Sequence, residues 1–309
     1  MHIAHLTAWP VPVARYGGSQ RVVYWLAKAQ ARLGHRVTLL APAGSTCPGV
    51  DVIEVPRGAA YTRCMPAGVD VAHFHGVGTA GVAVPHLITT HGNSPDELAY
   101  SPNKIYVSRD RARRAGSTLF VHNGVDPDEF IYCERKQDYF LFLSKVNRRV
   151  KGVDVALRLA RRLRFRLVVA GGRRHELIKT GSLWNSLRAN VQFCGEVGGR
   201  RKAKLIAGAR ALLFPIRWDE PFGLVVAEAL ISGTPVITTP RGAMPELVTP
   251  NVGFLCRDEA EFEQAIRHVA DVSPAACRHR ALEHFTSAVS AHKYLQYYER
   301  LLAGQPLEL

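Results

Sequence analysis

Long apolar runs are missing from this chain of 309 residues, and so are closely paired cysteines. No stretch reaches the roughly 18 consecutive apolar residues that a membrane-spanning helix needs. The first ten residues have neither a basic start nor a long apolar segment, so we expect no secretory signal and a cytoplasmic location. The six cysteines include no C-x-x-C pair. Their scatter argues against zinc or thiol redox chemistry and favours reduced thiols.

Acidic residues are few relative to basic ones. The chain has 40 Lys and Arg against 26 Asp and Glu, a net charge of +14, and 28 of the basic residues follow residue 130. This balance predicts an anionic ligand, and weak peripheral contact with an anionic membrane stays open. Zinc-finger spacing, a helix-turn-helix signal and RRM-type aromatics are all missing from the sequence. We therefore expect no nucleic acid partner.

Short β-rich runs alternate with helical patterns through most of the chain. This alternation is typical of α/β folds, in which helices cover parallel sheets. A polar gap over 127–138 separates two such series. It predicts a first Rossmann-like domain over 1–130, joined by a C-terminal helix over 287–309, and a second over 131–286. Because open α/β sheets bind ligands beyond the carboxyl ends of their strands, we expect the two domains to face each other across a cleft.

The individual elements follow from apolar runs and helix-end signals. Strands are predicted at Ile3–Trp9, Val37–Ala41, Val52–Val55, Val69–Phe74, Leu87–Thr90, Ile105–Ser108, Leu119–His122, Phe140–Leu143, Arg166–Ala170, Val191–Phe193, Ala211–Phe214 and Val236–Thr239. Helices are predicted from a Ser19 cap to Leu33, and at Gly152–Leu163, Arg200–Ala209, Leu224–Ser232, Glu259–Val272, Pro274–Phe285 and Ser287–Leu302.

The residues best suited to chemistry lie between Trp218 and Leu230. Gly223 permits close backbone approach where a helix begins, and the unpaired N–H groups there suit an anionic phosphate. Glu220 lies just before this helix and Glu228 lies in its second turn, among Val and Ala residues. A buried carboxylate in such surroundings needs a cation or hydroxyl partner. Spacing alone equally allows two ordinary helix glutamates, one of them paired with an arginine.

The segment from Glu220 to Glu228 resembles the hallmark of the retaining glycosyltransferases of family 4, two glutamates separated by seven residues. Other matching segments follow the family order along nearly the whole chain. They are Tyr16-Gly17-Gly18-Ser19-Gln20-Arg21-Val22-Val23, His122-Asn123-Gly124-Val125-Asp126, Gly233-Thr234-Pro235-Val236-Ile237 and Arg241-Gly242-Ala243 with Glu246. The resemblance implies the GT-B fold, with two Rossmann-like domains, and a nucleotide-activated sugar as donor.

The resemblance also implies roles for single residues. Glu220 would lie against the donor sugar and Glu228 would hold the ribose hydroxyls. Phe222, Gly223 and Leu224 would offer backbone contacts to sugar and diphosphate. The glycine pair Gly17 and Gly18 would let the first loop approach the diphosphate, although an ordinary tight turn before a helix explains them as well.

The basic segment of the family departs here from its usual form. The family reads roughly glycine-arginine, then lysine-glycine, whereas this chain has Ser144-Lys145 and then Lys151-Gly152, with one extra residue between. Lysine neutralises phosphate as a point charge but lacks the planar fork of arginine. Lys145 and Lys151 are therefore the predicted diphosphate ligands, with Arg149 as the alternate.

Three histidines lie at the ends of predicted strands of the first domain. The resemblance implies that His91 contacts the transferred sugar. His73 and His75 form a His-x-His with both side chains on one face, a spacing that suggests a metal. The sequence offers no third ligand, and the family generally works without metal, so packing or an acceptor-side role is favoured over zinc. We expect no metal and no cofactor besides the donor.

The implied reaction moves a hexosyl group from a nucleoside diphosphate sugar, most simply a UDP-sugar, to an acceptor hydroxyl with retention. The acceptor can be a glycan, a lipid or a small metabolite. Two alternatives share the architecture: a sugar-nucleotide 2-epimerase, and a nucleotide-sugar-binding protein without catalysis. The presence of both glutamates argues against the second.

Overall fold

The structure is a computed structural model and describes residues 1–13, 17–93, 103–187 and 190–307. These residues form two compact units. The first unit contains the described residues up to 126 together with 285–307, and the second contains 127–284. The division falls between Asp126 and Pro127. Within the described ranges, none of the helices is both long and apolar enough to cross a membrane.

Twelve strands are found in the described residues. They are β1 (His2–Thr7), β2 (Arg36–Ala41), β3 (Asp51–Glu54), β4 (Val71–His75), β5 (His86–Thr90), β6 (Lys104–Tyr106), β7 (Phe140–Leu143), β8 (Leu167–Ala170), β9 (Val191–Gly195), β10 (Ala211–Phe214), β11 (Val236–Thr238) and β12 (Gly253–Leu255).

Ten α-helices accompany these strands in the same described ranges. They are α1 (Gly18–Arg32), α2 (Arg109–Arg114), α3 (Val153–Leu163), α4 (Leu183–Leu187), α5 (Gly199–Gly208), α6 (Leu224–Ile231), α7 (Met244–Leu247), α8 (Glu259–His268), α9 (Pro274–His284) and α10 (Ser287–Leu302).

Each unit contains one parallel sheet of six strands, and the two sheets have the same strand order. The first runs β3-β2-β1-β4-β5-β6 and the second β9-β8-β7-β10-β11-β12. Numbered within its own unit, each is the 3-2-1-4-5-6 order of dinucleotide-binding folds. The predicted α/β class with two Rossmann-like sheets is confirmed.

Helices cover the sheets by packing against the apolar residues of the strands. In the first unit α10 packs along α1, and Leu26, Leu87 and Tyr298 belong to the same buried cluster. In the second unit Leu157 of α3 packs with Phe140 and Val169 of the central strands. Burial on both faces explains why the strands have continuous apolar runs instead of an alternating pattern.

Most predicted elements are present within a residue or two, and the differences have local causes. The predicted strand Leu119–His122 is wrong, since it makes only an isolated bridge between Phe120 and Tyr106. Its partner strand β6 ends at Tyr106, and Ser108 then caps α2 by accepting a hydrogen bond from the Arg111 N–H. The strand β12 was not predicted, and it begins with Gly253, a residue type that is depleted in strands.

The start of α1 also differs from the prediction. The helix begins at Gly18 with Gly17 as its first flanking residue, so the predicted Ser19 cap is wrong. Gly17 has a φ of +155°, and a Cβ there would lie 2.5 Å from Oε1 of Gln20. A residue without a side chain fits this turn.

Candidate functional site

The chain between β10 and α6 forms the centre of the second unit's polar cluster. Gly223 precedes α6 with a φ of +87°, and a Cβ on it would lie 2.4 Å from the Met244 methyl carbon. Glycine is therefore required at this turn. Within the described ranges no side chain caps the eight-residue helix that follows. Its first N–H groups keep the arrangement that binds anions at helix N-termini.

Glu220 is held in this loop by two donors on the same oxygen. Nζ of Lys151 donates to Oε2 at 2.6 Å, and the indole N–H of Trp218 donates to it at 2.7 Å. The side chains of Lys151 and Glu220 are 11% and 14% exposed. Lys151 Nζ also lies 4.6 Å from the centre of the Trp218 ring. A predicted sugar contact and a predicted phosphate ligand thus form one ion pair.

Backbone packing fixes both members of this pair. Gly152 follows Lys151 with a φ of +77°, and a Cβ there would lie 1.8 Å from the Pro215 carbonyl oxygen. A Cβ on Gly242 would lie 2.4 Å from the backbone nitrogen and oxygen of Glu220. Both glycines therefore permit close contact between chain segments, which places the Lys151 and Glu220 loops side by side.

A second ion pair fastens the same loop to α3. Nη2 of Arg217 donates to Oδ2 of Asp154 at 2.6 Å, and the Arg217 N–H donates to the Val150 carbonyl at 2.8 Å. Arg158 donates to the same Asp154 oxygen at 2.9 Å. Sequence reasoning missed Asp154 and Arg217. The sequence did contain one signal for Asp154, because an acidic residue among the apolar positions of a helix needs a cationic partner.

Glu228 is buried in α6 with a lysine partner. Nζ of Lys202 in α5 donates to its Oε1 at 2.5 Å, and the two side chains are 10% and 2% exposed. A cation is one of the two partners that the sequence argument required for this carboxylate. Lys202 itself was missed, although it lies four residues before buried Ile206 on the apolar face of α5.

The other predicted residues of the second unit lie in the same loops. Lys145 is half-buried and follows β7, whereas the alternate Arg149 is exposed. Phe222 is 2% exposed and Leu224 is half-buried at the start of α6. Lys145 and Lys151 are therefore both less exposed than Arg149.

In the first unit, Gly17 and Gly18 lie at the start of α1, and Tyr16 of the matching segment lies outside the described residues. The histidines lie on neighbouring strands: His5 and His73 within β1 and β4, and His75 at the end of β4. His5 of β1 is in register with His73 of β4, and His91 directly follows β5. This unit therefore has its own polar cluster, made of uncharged groups.

Hydrogen bonds join these histidines into a chain. Nε2 of His5 lies 2.7 Å from Oε1 of Gln30, and Nδ1 of His5 lies 3.0 Å from Nε2 of His75. Nδ1 of His75 lies 3.0 Å from Nε2 of His91. His73 lies beside this chain, between the hydroxyl groups of Tyr298 at 2.7 Å and Thr89 at 2.6 Å.

Burial keeps these rings neutral. It lowers the pKa of His5 and of His91 from 6.5 to about 4. Burial, followed by the neighbouring histidines, lowers the pKa of His73 and His75 well below 6.5. Each ring therefore carries one N–H donor and one acceptor nitrogen at neutral pH.

The expectation that His73 and His75 have no third ligand is wrong. His5 lies beside them, with one nitrogen from each of the three rings within 4.8 Å of the others. His5 was missed because the sequence does not show the register that pairs it with His73 in the neighbouring strand. Three neutral imidazoles are a donor set that zinc accepts.

The comparisons with known proteins agree with this fold. Residues 137–271 match the family model described as "Glycosyl transferases group 1". This stretch includes Lys145, Lys151, Glu220 and Glu228. The solved structures that resemble the chain are glycosyltransferases of the GT-B fold, which is therefore the fold class of this protein.

Individual relatives are similar to different extents. The chain is 31% identical over 175 residues to glycogen synthase of Mycobacterium tuberculosis, covering 52% of this chain and 41% of that protein. The crystal structure of AviGT4, a glycosyltransferase involved in avilamycin A biosynthesis, has a TM-score of 0.82 and 29% identity over 98% of both chains. Anabaena HepE, solved with UDP and glucose, has a TM-score of 0.70 and 15% identity over 96% of this chain and 99% of that one.

Proposed function

We propose that this chain is a retaining glycosyltransferase of family 4 that moves a hexosyl group from a UDP-sugar to an acceptor hydroxyl without a bound metal. The observation that carries the proposal is the α6 N-terminus at Gly223, with the Lys151–Glu220 pair before it and Glu228 within the helix. The family match over residues 137–271 supports the reaction class.

The diphosphate is proposed to bind at the start of α6. Lys145 and Lys151 neutralise its charge, and the N–H groups after Gly223 donate hydrogen bonds to the phosphate oxygens. Lys151 has three N–H donors, so it can bind Glu220 and a phosphate oxygen together. Charge that builds up on the leaving diphosphate meets groups already in place, which is the usual form of electrostatic catalysis.

The two glutamates are proposed to bind different parts of the donor. Glu220 contacts the transferred sugar, where Lys151 and Trp218 hold its carboxylate in one orientation. Glu228 accepts hydrogen bonds from the ribose hydroxyls. A carboxylate has about four acceptor positions, so Lys202 and the ribose can bind the same group. Lys202 then supplies the opposite charge that a buried carboxylate needs in apolar surroundings.

Residues of the first unit are also proposed to contact the donor, as the resemblance to family 4 implies. His91 contacts a hydroxyl of the transferred sugar, and Gly17 and Gly18 approach the diphosphate. No metal and no further cofactor takes part. The acceptor class, whether glycan, lipid or small metabolite, is decided by screening acceptors with the donor fixed.

A thermal-shift screen of nucleotides and nucleotide sugars in EDTA tests the proposal. UDP at 100 times its dissociation constant should stabilise the protein by about 2.7 kcal/mol. Loss of this effect on adding EDTA would contradict metal-independent binding. Incubating UDP-sugars with the protein alone separates the alternatives, since a new epimer without acceptor identifies a 2-epimerase. Binding without transfer to any acceptor, and without hydrolysis, identifies a non-catalytic protein.

A further inference from the structure

The orientation of the Gln30 side-chain amide determines which ring nitrogen carries the proton in each of the four neutral histidines. Gln30 lies in α1 at 0% exposure, with Oε1 toward His5 and Nε2 donating to the Tyr298 hydroxyl at 3.2 Å. A carbonyl oxygen only accepts hydrogen bonds. Nε2 of His5 must therefore carry the proton that Gln30 receives.

The same reasoning passes from ring to ring. With its proton on Nε2, His5 accepts at Nδ1, so Nε2–H of His75 is the donor across the 3.0 Å contact. His75 then accepts at Nδ1, so Nε2–H of His91 is the donor across the next 3.0 Å contact. Nδ1 of His91 is left as an acceptor.

That last nitrogen is the end of the chain. Nδ1 of His91 is buried and has no hydrogen-bond partner among the described residues. An unsatisfied buried acceptor costs free energy unless a ligand or water donates to it. A sugar hydroxyl is a donor of the required kind.

We propose that Gln30, His5 and His75 are positioning residues that fix His91 in its Nε2–H tautomer and so present Nδ1 as an acceptor for a hydroxyl of the ligand. The relay, meaning Gln30, His5, His75 and His91, crosses three neighbouring elements of one sheet and its covering helix. The hydroxyl contact rests on the proposed function, whereas the tautomer assignment stands on the hydrogen bonds alone.

A metal ion at His5, His73 and His75 would exclude this arrangement. A nitrogen that binds metal carries no proton, so an ion there would break the N–H···N bonds that join the rings. The hydrogen bonds of the side branch also favour the relay. Gln30 donates to Tyr298, Tyr298 to Nδ1 of His73, and Nε2–H of His73 to Thr89, which leaves every described contact with one donor and one acceptor.

Long-range ¹H–¹⁵N correlation spectra of the full chain, labelled at histidine, read each tautomer without any ligand. We expect His5, His75 and His91 all to carry the proton on Nε2. A proton on Nδ1 of His91 would overturn the proposal, since it would require the reversed Gln30 amide. Stoichiometric zinc in the purified protein, with loss of these N–H signals, would overturn it as well.

Two variants test the direction of the relay. Gln30→Met removes the acceptor that sets the first proton, and His75→Phe breaks the link to His91 while leaving the His5 contact to Gln30. Each should change the tautomer ratio of His91 about fivefold, the factor that one hydrogen bond supplies. In His75→Phe the proton of His5 should stay on Nε2. Unchanged His91 signals in the folded variants would contradict the relay.

Thr38→Val is the matched control. Thr38 is 1% exposed in the same sheet, and its hydroxyl lies 2.8 Å from Nε2 of His2, outside the relay. This variant should leave the His91 tautomer unchanged. If neither relay variant folds, the wild-type tautomers still decide the assignment. With a UDP-sugar as donor, Gln30→Met should lower kcat up to about fivefold without changing UDP affinity; equal loss of both would contradict positioning.

Discussion

The two units share one strand order, but the histidine cluster of the first and the cluster around α6 of the second are built in opposite ways. In the first unit, buried histidines, tyrosines and an amide exchange hydrogen bonds without charge. In the second, Lys151–Glu220 is an ion pair in the loops before α6, and Lys202–Glu228 is an ion pair between α5 and α6. The same sheet topology therefore supports a neutral cluster that orients protons and a charged cluster suited to an anionic ligand.

The difference predicts which change should destabilise each cluster. Removing one partner from a buried ion pair leaves an uncompensated charge, which costs several kcal/mol. A neutral cluster has no such charge and instead responds to protonation. Charge substitutions should therefore act on the cluster around α6, and acidity on the histidine cluster.

Lys202→Met should have the largest effect. It leaves Glu228, 2% exposed, without its lysine, and should lower the free energy of unfolding of the second unit by about 3–5 kcal/mol. Hydrogen exchange of the α6 amides measures the loss. The double variant Lys202→Met/Glu228→Met should recover most of it, because no buried charge remains. A double variant no more stable than the single one would contradict the ion-pair account.

The second largest effect is expected from acidification, which should destabilise the first unit. The pKa of His5 is lowered from 6.5 to about 4 in the folded protein, so the unfolded chain binds more protons between these values. Stability therefore falls as pH drops from 6.5 to 4, by about 3 kcal/mol for His5 alone. Amide exchange in β1 and β4 should show this loss while β7 and β8 change less.

A pair of variants gives this prediction its control. His5→Gln should reduce the pH dependence, since the titrating ring is gone, whereas His292→Gln, at an exposed position in α10, should not alter it. Equal acid loss in both units of the wild type would mean that the histidine cluster does not set the acid response.

The smallest effect is expected for Lys145→Met. Lys145 is half-buried after β7, and loss of its proposed contact with the diphosphate should weaken UDP binding by about 1 kcal/mol. Arg149→Met, an exposed neighbour, should change UDP affinity by less than about 0.5 kcal/mol. Calorimetric titration compares the two; a larger loss for Arg149→Met would make Arg149 the phosphate ligand.

Much of this comparison could be predicted from sequence, because short apolar runs and glycine positions are local signals. The runs at Phe140–Leu143 and Ala211–Phe214 became strands with those bounds, and Gly223 begins α6 as predicted. Lys202 and His5 were missed, because their partners are set by helix packing and strand register. The edge strand β12 was missed because it begins with a glycine, which is depleted in strands. The predicted strand Leu119–His122 lacked a partner strand long enough to pair with it.

UDP affinity in EDTA, measured by titration calorimetry for wild type, Glu220→Gln and Glu228→Gln, tests the proposed donor site most directly. Glu228→Gln should weaken binding by roughly 1.5–3 kcal/mol, since a charged hydrogen bond to the ribose is lost. Glu220→Gln should bind UDP nearly as wild type does, and lower kcat instead, because it contacts the transferred sugar. No binding of UDP by wild type in EDTA, or a greater loss for Glu220→Gln than for Glu228→Gln, would contradict the account.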